Sequence, residues 1–83
     1  MVSASKLYER LLASRSTLRF GDFQRLLEAF GFALARTKGS HLIYKHPMVP
    51  RPFPVQPRGH EAKIYQVEEF LDMIDEYRLR IDK

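Results

Sequence analysis

Cysteine is absent from these 83 residues. That excludes a disulfide framework and any thiolate metal site. Long apolar runs are absent too, and no stretch approaches membrane-spanning length. The start, MVSASKLYERLLASRS, is broken by charge before an apolar segment develops, so no secretory signal is expected. A reducing, cytoplasmic setting without a membrane partner is the expectation that follows. Several chemical signatures are also missing. The chain has no glycine-rich phosphate loop, no paired acid site and no nucleophile elbow, which makes nucleotide or glycoside hydrolysis a poor reading. It has no internal repeat and no low-complexity tract.

What is present fits one small domain over residues 1–83. The hydrophobic fraction of 45% is ordinary for a folded chain. The net charge is +4, from 14 basic and 10 acidic side chains. Its placement is more informative than its size. Residues 36–63 hold Arg36, Lys38, Lys45, Arg51, Arg58 and Lys63 against Glu61 alone. Residues 64–83 hold Glu68, Glu69, Asp72, Asp75, Glu76 and Asp82 against Arg78, Arg80 and Lys83. A basic middle and an acidic end fit a polyanion held at one face and kept off another. A merely soluble surface fits as well.

Periodicity predicts a first helix over 3–13, with Leu7, Leu11 and Leu12 at helical spacing and Ser3 or Ser5 as cap. A second helix is predicted over 20–30, where Phe23, Leu26, Leu27 and Phe30 form a stripe and Gly31 stands at the left-handed cap position. Strand one is predicted over 32–37, with Phe32, Leu34 and Arg36 on one side. Lys38, Gly39 and Ser40 make a tight hairpin. Strand two is predicted over 41–46. Leu42, Tyr44 and His46 share one side, and His41, Ile43 and Lys45 share the other. The first set is the more apolar, so Leu42 and Tyr44 go to the core and His41 and Lys45 to the exposed face. Ile43 fits that assignment badly.

Prolines crowd 47–57. Phe53 and Val55 alternate with Pro52, Pro54 and Gln56, which reads as an edge strand over 51–56 where another chain could add a strand. A polar loop hinged at Gly59 fills 58–63. The last helix is predicted over 66–79, with Val67, Phe70, Leu71, Ile74 and Tyr77 as its stripe and no side-chain cap. The order of elements gives an α+β fold, a three-stranded antiparallel sheet packed on one face by helices and open on the other.

His41 is the residue best suited to chemistry. An imidazole can accept or give a proton near neutral pH. RNA cleavage asks for a base at the 2′-hydroxyl, an acid at the leaving oxygen and positive charge around the phosphate. Arg36, Lys38 and Lys45 can supply that charge, and the amides of Gly39 and Ser40 can meet a phosphate oxygen. Ser40 otherwise only shapes the turn. Arg58, His60 and Lys63 are further phosphate-contact candidates, or plain solvated residues. His46, at a strand end before a proline, reads as structural or solvent-facing. The three histidines match no zinc spacing, so neither metal nor cofactor is expected. Tyr44 and Tyr65 stack on bases or sit in the core, the second being the commoner use.

The segment GFALARTKGSHLIYKHP resembles the signature of the HicA toxins, small bacterial mRNA interferases of toxin–antitoxin pairs. The likeness covers residues 20–77. It places Gly39, Ser40 and His41 at the family's active turn, Tyr44 at its aromatic position and His46-Pro47 after it. His60 stands where the family commonly has a lysine. Residues 3–19 extend the usual start ahead of a core over 20–79, and the last helix is unusually acidic. The resemblance implies a fold similar to a double-stranded-RNA-binding domain and metal-free RNA cleavage centred on His41. It also implies a cognate antitoxin of the HicB type. Two rivals remain. One is a non-catalytic RNA-binding module on the same surface, and the other is a protein-interaction domain using the proline-rich edge.

Overall fold

Two amphipathic stripes set the architecture. In the computed structural model, which describes residues 3–81, helix α2 spans Phe20–Ala29 and helix α3 spans Ile64–Tyr77. Phe23, Leu26 and Leu27 of α2 are buried, with Phe30 at its C-cap. They meet Val67, Phe70, Leu71, Met73 and Ile74 of α3 in one hydrophobic cluster. Phe70 takes Phe23 and Phe30 edge-on, at centroid distances of 5.6 and 5.5 Å. That is the geometry aromatic quadrupoles favour. Asp82 and Lys83, which belong to the acidic end, lie outside the described residues, as do Met1 and Val2.

Helix α1 spans Ala4–Ala13 and packs on α2. Ser3 caps it by accepting the Lys6 amide at 3.2 Å. Leu7 and Leu11 are buried, each worth roughly 1.5–3 kcal/mol of burial. Tyr8 stands edge-on to Phe30 at 5.0 Å. Leu12, expected on the same stripe, is 58% exposed instead. A ten-residue helix is marginal by itself, and this docking is what holds it.

The sheet follows the order β1-β2-β3, all antiparallel, from β1 (Ala33–Lys38), β2 (His41–Lys45) and β3 (Phe53–Val55). Tyr44, Phe53 and Val55 turn inward and are buried, with Leu42 packed beside them. The fold is thus α+β, with a three-stranded antiparallel sheet lined on one face by helices, as the order of elements predicts. Phe32 is buried, but it precedes β1 and is not part of it.

Some expectations give way. The loop predicted over 58–63 is a two-stranded ladder, β4 (Pro57–Arg58) with β5 (Glu61–Ala62). The connector before α2 steadies it, since Ala62 donates its amide to Leu18 and Phe20 donates to His60. The second of these bonds also serves the first amide of α2, which has no side-chain cap. Helix α3 begins two residues earlier than predicted and stops at Tyr77. Arg78 there takes a left-handed conformation (φ 54°), and the amide of Leu79 bonds back to Ile74.

The proline-rich edge is also less open than predicted. The side chain of Gln66 is buried and lies along β3. It accepts the Gln56 amide at 3.1 Å and reaches the Pro54 carbonyl at 3.5 Å. Its carboxamide thus takes up a donor and an acceptor that an added strand would need.

Candidate functional site

The open face of the sheet is set by register. Lys38 pairs with His41, and Ala33 pairs with Lys45. Between them Arg36 pairs with Ile43, which pairs on its other side with Pro54. Residues directly opposite one another share a face, and alternation along β2 puts His41, Ile43 and Lys45 together. Arg36, Lys38, His41 and Lys45 therefore line one surface, and all four are exposed. Ile43, the misfit in the sequence pattern, is half-buried between the strands that flank it.

Arg36 reaches this face for a reason the sequence pattern does not carry. Simple alternation puts it with Phe32 and Leu34, on the other side. The pairing of Leu34 with Tyr44 and of Arg36 with Ile43 leaves Ala35 unmatched, a β-bulge. The bulge reverses the alternation and turns Arg36 outward with the other cations. It also interrupts β1, the wholly exposed edge of the sheet.

His41 stands directly after a two-residue turn, Gly39-Ser40. Gly39 has φ +60°, and a positive φ at the first central residue is the type II′ pattern that suits a tight hairpin. The Ser40 hydroxyl oxygen accepts from the Gln56 side-chain amide at 2.7 Å. The oxygen of that same amide accepts from the Lys63 ammonium at 2.9 Å. This chain, Ser40 to Gln56 to Lys63, ties the turn beside His41 to the start of α3. The sequence marks Gln56 only as part of an edge strand. A neutral residue in a proline-rich stretch carries no signal for bridging two elements.

The remaining candidates fall into two groups. Arg58 and Lys63 line one groove, together with Thr17, Glu61, Ala62, Ile64 and Tyr65. His60 lines a separate recess with Arg19, Asp22 and Arg25. Asp22 and Arg25 there form an ion pair at 3.0 Å. Tyr44 is buried, with Gln24 donating to its hydroxyl at 3.2 Å, so it serves the core and is closed to bases. Burial holds its phenol above the usual value, only partly offset by the Gln24 bond. Tyr65 is the opposite case, 61% exposed.

His46 is structural. One ring nitrogen, Nδ1, accepts from the Met48 amide at 3.0 Å, so Nε2 carries the hydrogen and donates to the Phe30 carbonyl at 2.9 Å. The ring stands edge-on to Phe32 at 5.0 Å. It thereby fastens the end of α2 to the end of β2. Among the described residues, no three His, Cys, Asp or Glu side chains converge as a metal ion would require.

Fold and surface together define a small α+β domain that presents a histidine within a cationic sheet face. The family model described as HicA toxin of bacterial toxin–antitoxin matches residues 20–74, from the first residue of α2 to the last turn of α3. The chain belongs to that family. Helix α1 precedes the matched segment. No curated protein and no solved structure matches the chain. Among the described residues, no helix is long and apolar enough to cross a membrane.

Proposed function

We infer that this protein is an RNA-cleaving toxin, an mRNA interferase that works without a metal ion in the cytoplasm and is held in check by an antitoxin of the HicB type. The observation that carries the reading is His41, exposed at the mouth of β2 and opposite Lys38 on a face shared with Arg36 and Lys45. In the proposed reaction the 2′ oxygen attacks the adjacent phosphorus as the bond to the 5′ oxygen breaks. One proton leaves the 2′-hydroxyl and one reaches the 5′ oxygen. His41 handles one of these transfers, as acceptor or as donor. Arg36, Lys38 and Lys45 offset the charge that builds on the phosphoryl oxygens. The helix, three-strand, helix order of the core supports the expected likeness to a double-stranded-RNA-binding domain.

The test is His41→Ala. General acid–base catalysis contributes about 10²–10⁴-fold, so cleavage of a messenger RNA in chelator should fall by at least about 100-fold. The melting temperature should stay unchanged, because the side chain is exposed. A 2′-deoxy nucleotide at the cut site should block the parent enzyme. Equal cleavage by the purified variant and the parent would remove His41 from the reaction. RNA binding without cleavage by either protein would establish the non-catalytic reading.

A further inference from the structure

We propose that Tyr65 is a base-stacking residue, and that the groove beside it holds one unpaired nucleotide of the strand whose phosphate lies at His41. The inference rests on the RNA-cleaving role proposed for His41 and adds a subsite to it. Tyr65 and its neighbour Ile64 are both more than half exposed, although Gln66 and Val67 directly after them are buried. They line a groove of about 630 Å³, within the size range of pockets that hold small ligands. The polar wall of the groove carries Arg58 and Lys63, opposed by the single carboxylate of Glu61.

Three features make a nucleotide the fitting occupant. First, the Lys63 ammonium lies 6.0 Å from the centroid of the Tyr65 ring, so a cation stands against the aromatic face. A base on the ring and a phosphate at the cation then belong to one nucleotide. Second, Lys63 is bonded through Gln56 to Ser40, the residue before His41. The groove and the proposed reaction centre are therefore held in fixed relation by two hydrogen bonds. Third, stacking on a single tyrosine requires a base free of its partner, as in other single-strand sites. A duplex presents no such face.

The experiment uses the full chain carrying His41→Ala, so that RNA is bound and not cut. The probe is a fluorescein-labelled single-stranded RNA 12-mer, with a second version holding one 2-aminopurine. Adding Tyr65→Ala should weaken binding roughly tenfold, the loss expected when one base–aromatic stack is removed. Tyr65→Phe should bind as the parent does. The slope of affinity against salt should stay the same in Tyr65→Ala, since no charge is lost, whereas Lys63→Ala should flatten it. Quenching of 2-aminopurine on binding should weaken in Tyr65→Ala alone.

Affinity within twofold of the parent and unaltered quenching in Tyr65→Ala would overturn the stacking role. The cleavage reading would still stand if a Tyr65→Ala protein with His41 intact cut RNA normally. Equal weakening by Tyr65→Phe would overturn the stacking role too, since the ring is kept. RNA unaffected by Tyr65→Ala but a protein partner lost would assign the surface to that partner and reject the nucleotide. Absence of any RNA binding or cleavage by the parent would take down both inferences.

Discussion

Two histidines bracket β2, and they are put to opposite uses. His46 has both ring nitrogens engaged, one with the Met48 amide and one with the Phe30 carbonyl, and its ring is packed on Phe32. The ring of His41 is exposed and, among the described residues, makes no hydrogen bond. A ring whose nitrogens are both taken can fix an angle between two elements but cannot pass a proton. A ring with a nitrogen facing solvent can. The five-residue separation along an alternating strand sends them to opposite sides, so one strand supplies both a fastener and a proposed catalyst.

The sharpest way to break this comparison is to remove each ring in turn. Loss of His41 should produce the largest change, a collapse of cleavage by at least about 100-fold with stability untouched. Loss of His46 should do the reverse. His46→Ala leaves a carbonyl and an amide without partners and removes an aromatic contact. The expected cost is about 2 kcal/mol, with a melting temperature lower by about 8–15 °C. Cleavage per folded molecule should remain within about twofold of the parent in a thermal-melt and initial-rate pair of measurements. If His46→Ala kept its stability and lost its activity, the two roles would have been assigned the wrong way round.

A smaller effect probes the seat of the His46 ring. Gly31 has φ +96°, where side chains are strained, and a Cβ built there would lie 3.0 Å from His46 Nε2. Gly31→Ala should therefore cost about 1–2 kcal/mol, from backbone strain and displacement of the ring. Combined with His46→Ala the two costs should fall short of additive, because the clash vanishes with the ring. Strict additivity in urea denaturation would mean that the glycine serves the backbone alone.

Much of this architecture is legible in the amino-acid sequence. The α2 stripe, the Gly31 cap and the inward set on β2 follow from spacing and from which residues tolerate positive φ. So does His41 on the outward side. What stays hidden depends on pairing between distant segments. Nothing in ALART marks Ala35 as unmatched, because a bulge is defined by the partner strand. Strands of two residues, such as β4 and β5, have no period to detect and are fixed by a connector some forty residues earlier. Gln66 figures in the sequence only as the start of the last helix, yet its side-chain amide lies along the edge of β3. Tyr65 misleads in the opposite direction. The aromatic rule favours the core, but α3 starts early enough that Tyr65 falls outside the buried face.

The bulge leads to the finest comparison, between charge that is placed and charge that is merely present. Lys45 lies on the open face with His41, whereas Lys6 is exposed on α1, which packs on α2 and not on that face. Each contributes one unit to the same net charge. If phosphate is held by the sheet, Lys45→Ala should weaken RNA binding several-fold at about 0.1 M salt and lower the salt slope by about one, and Arg36→Ala should match it. Lys6→Ala should change neither, because a charge beyond about one Debye length is screened. An equal loss from Lys6→Ala would show that overall positive charge draws the RNA, and the outward turn of Arg36 at Ala35 would then be a feature of the edge strand with no part in binding. An unequal loss, with Arg36 grouped with Lys45, would tie the unmatched residue in β1 to the surface that holds the phosphate.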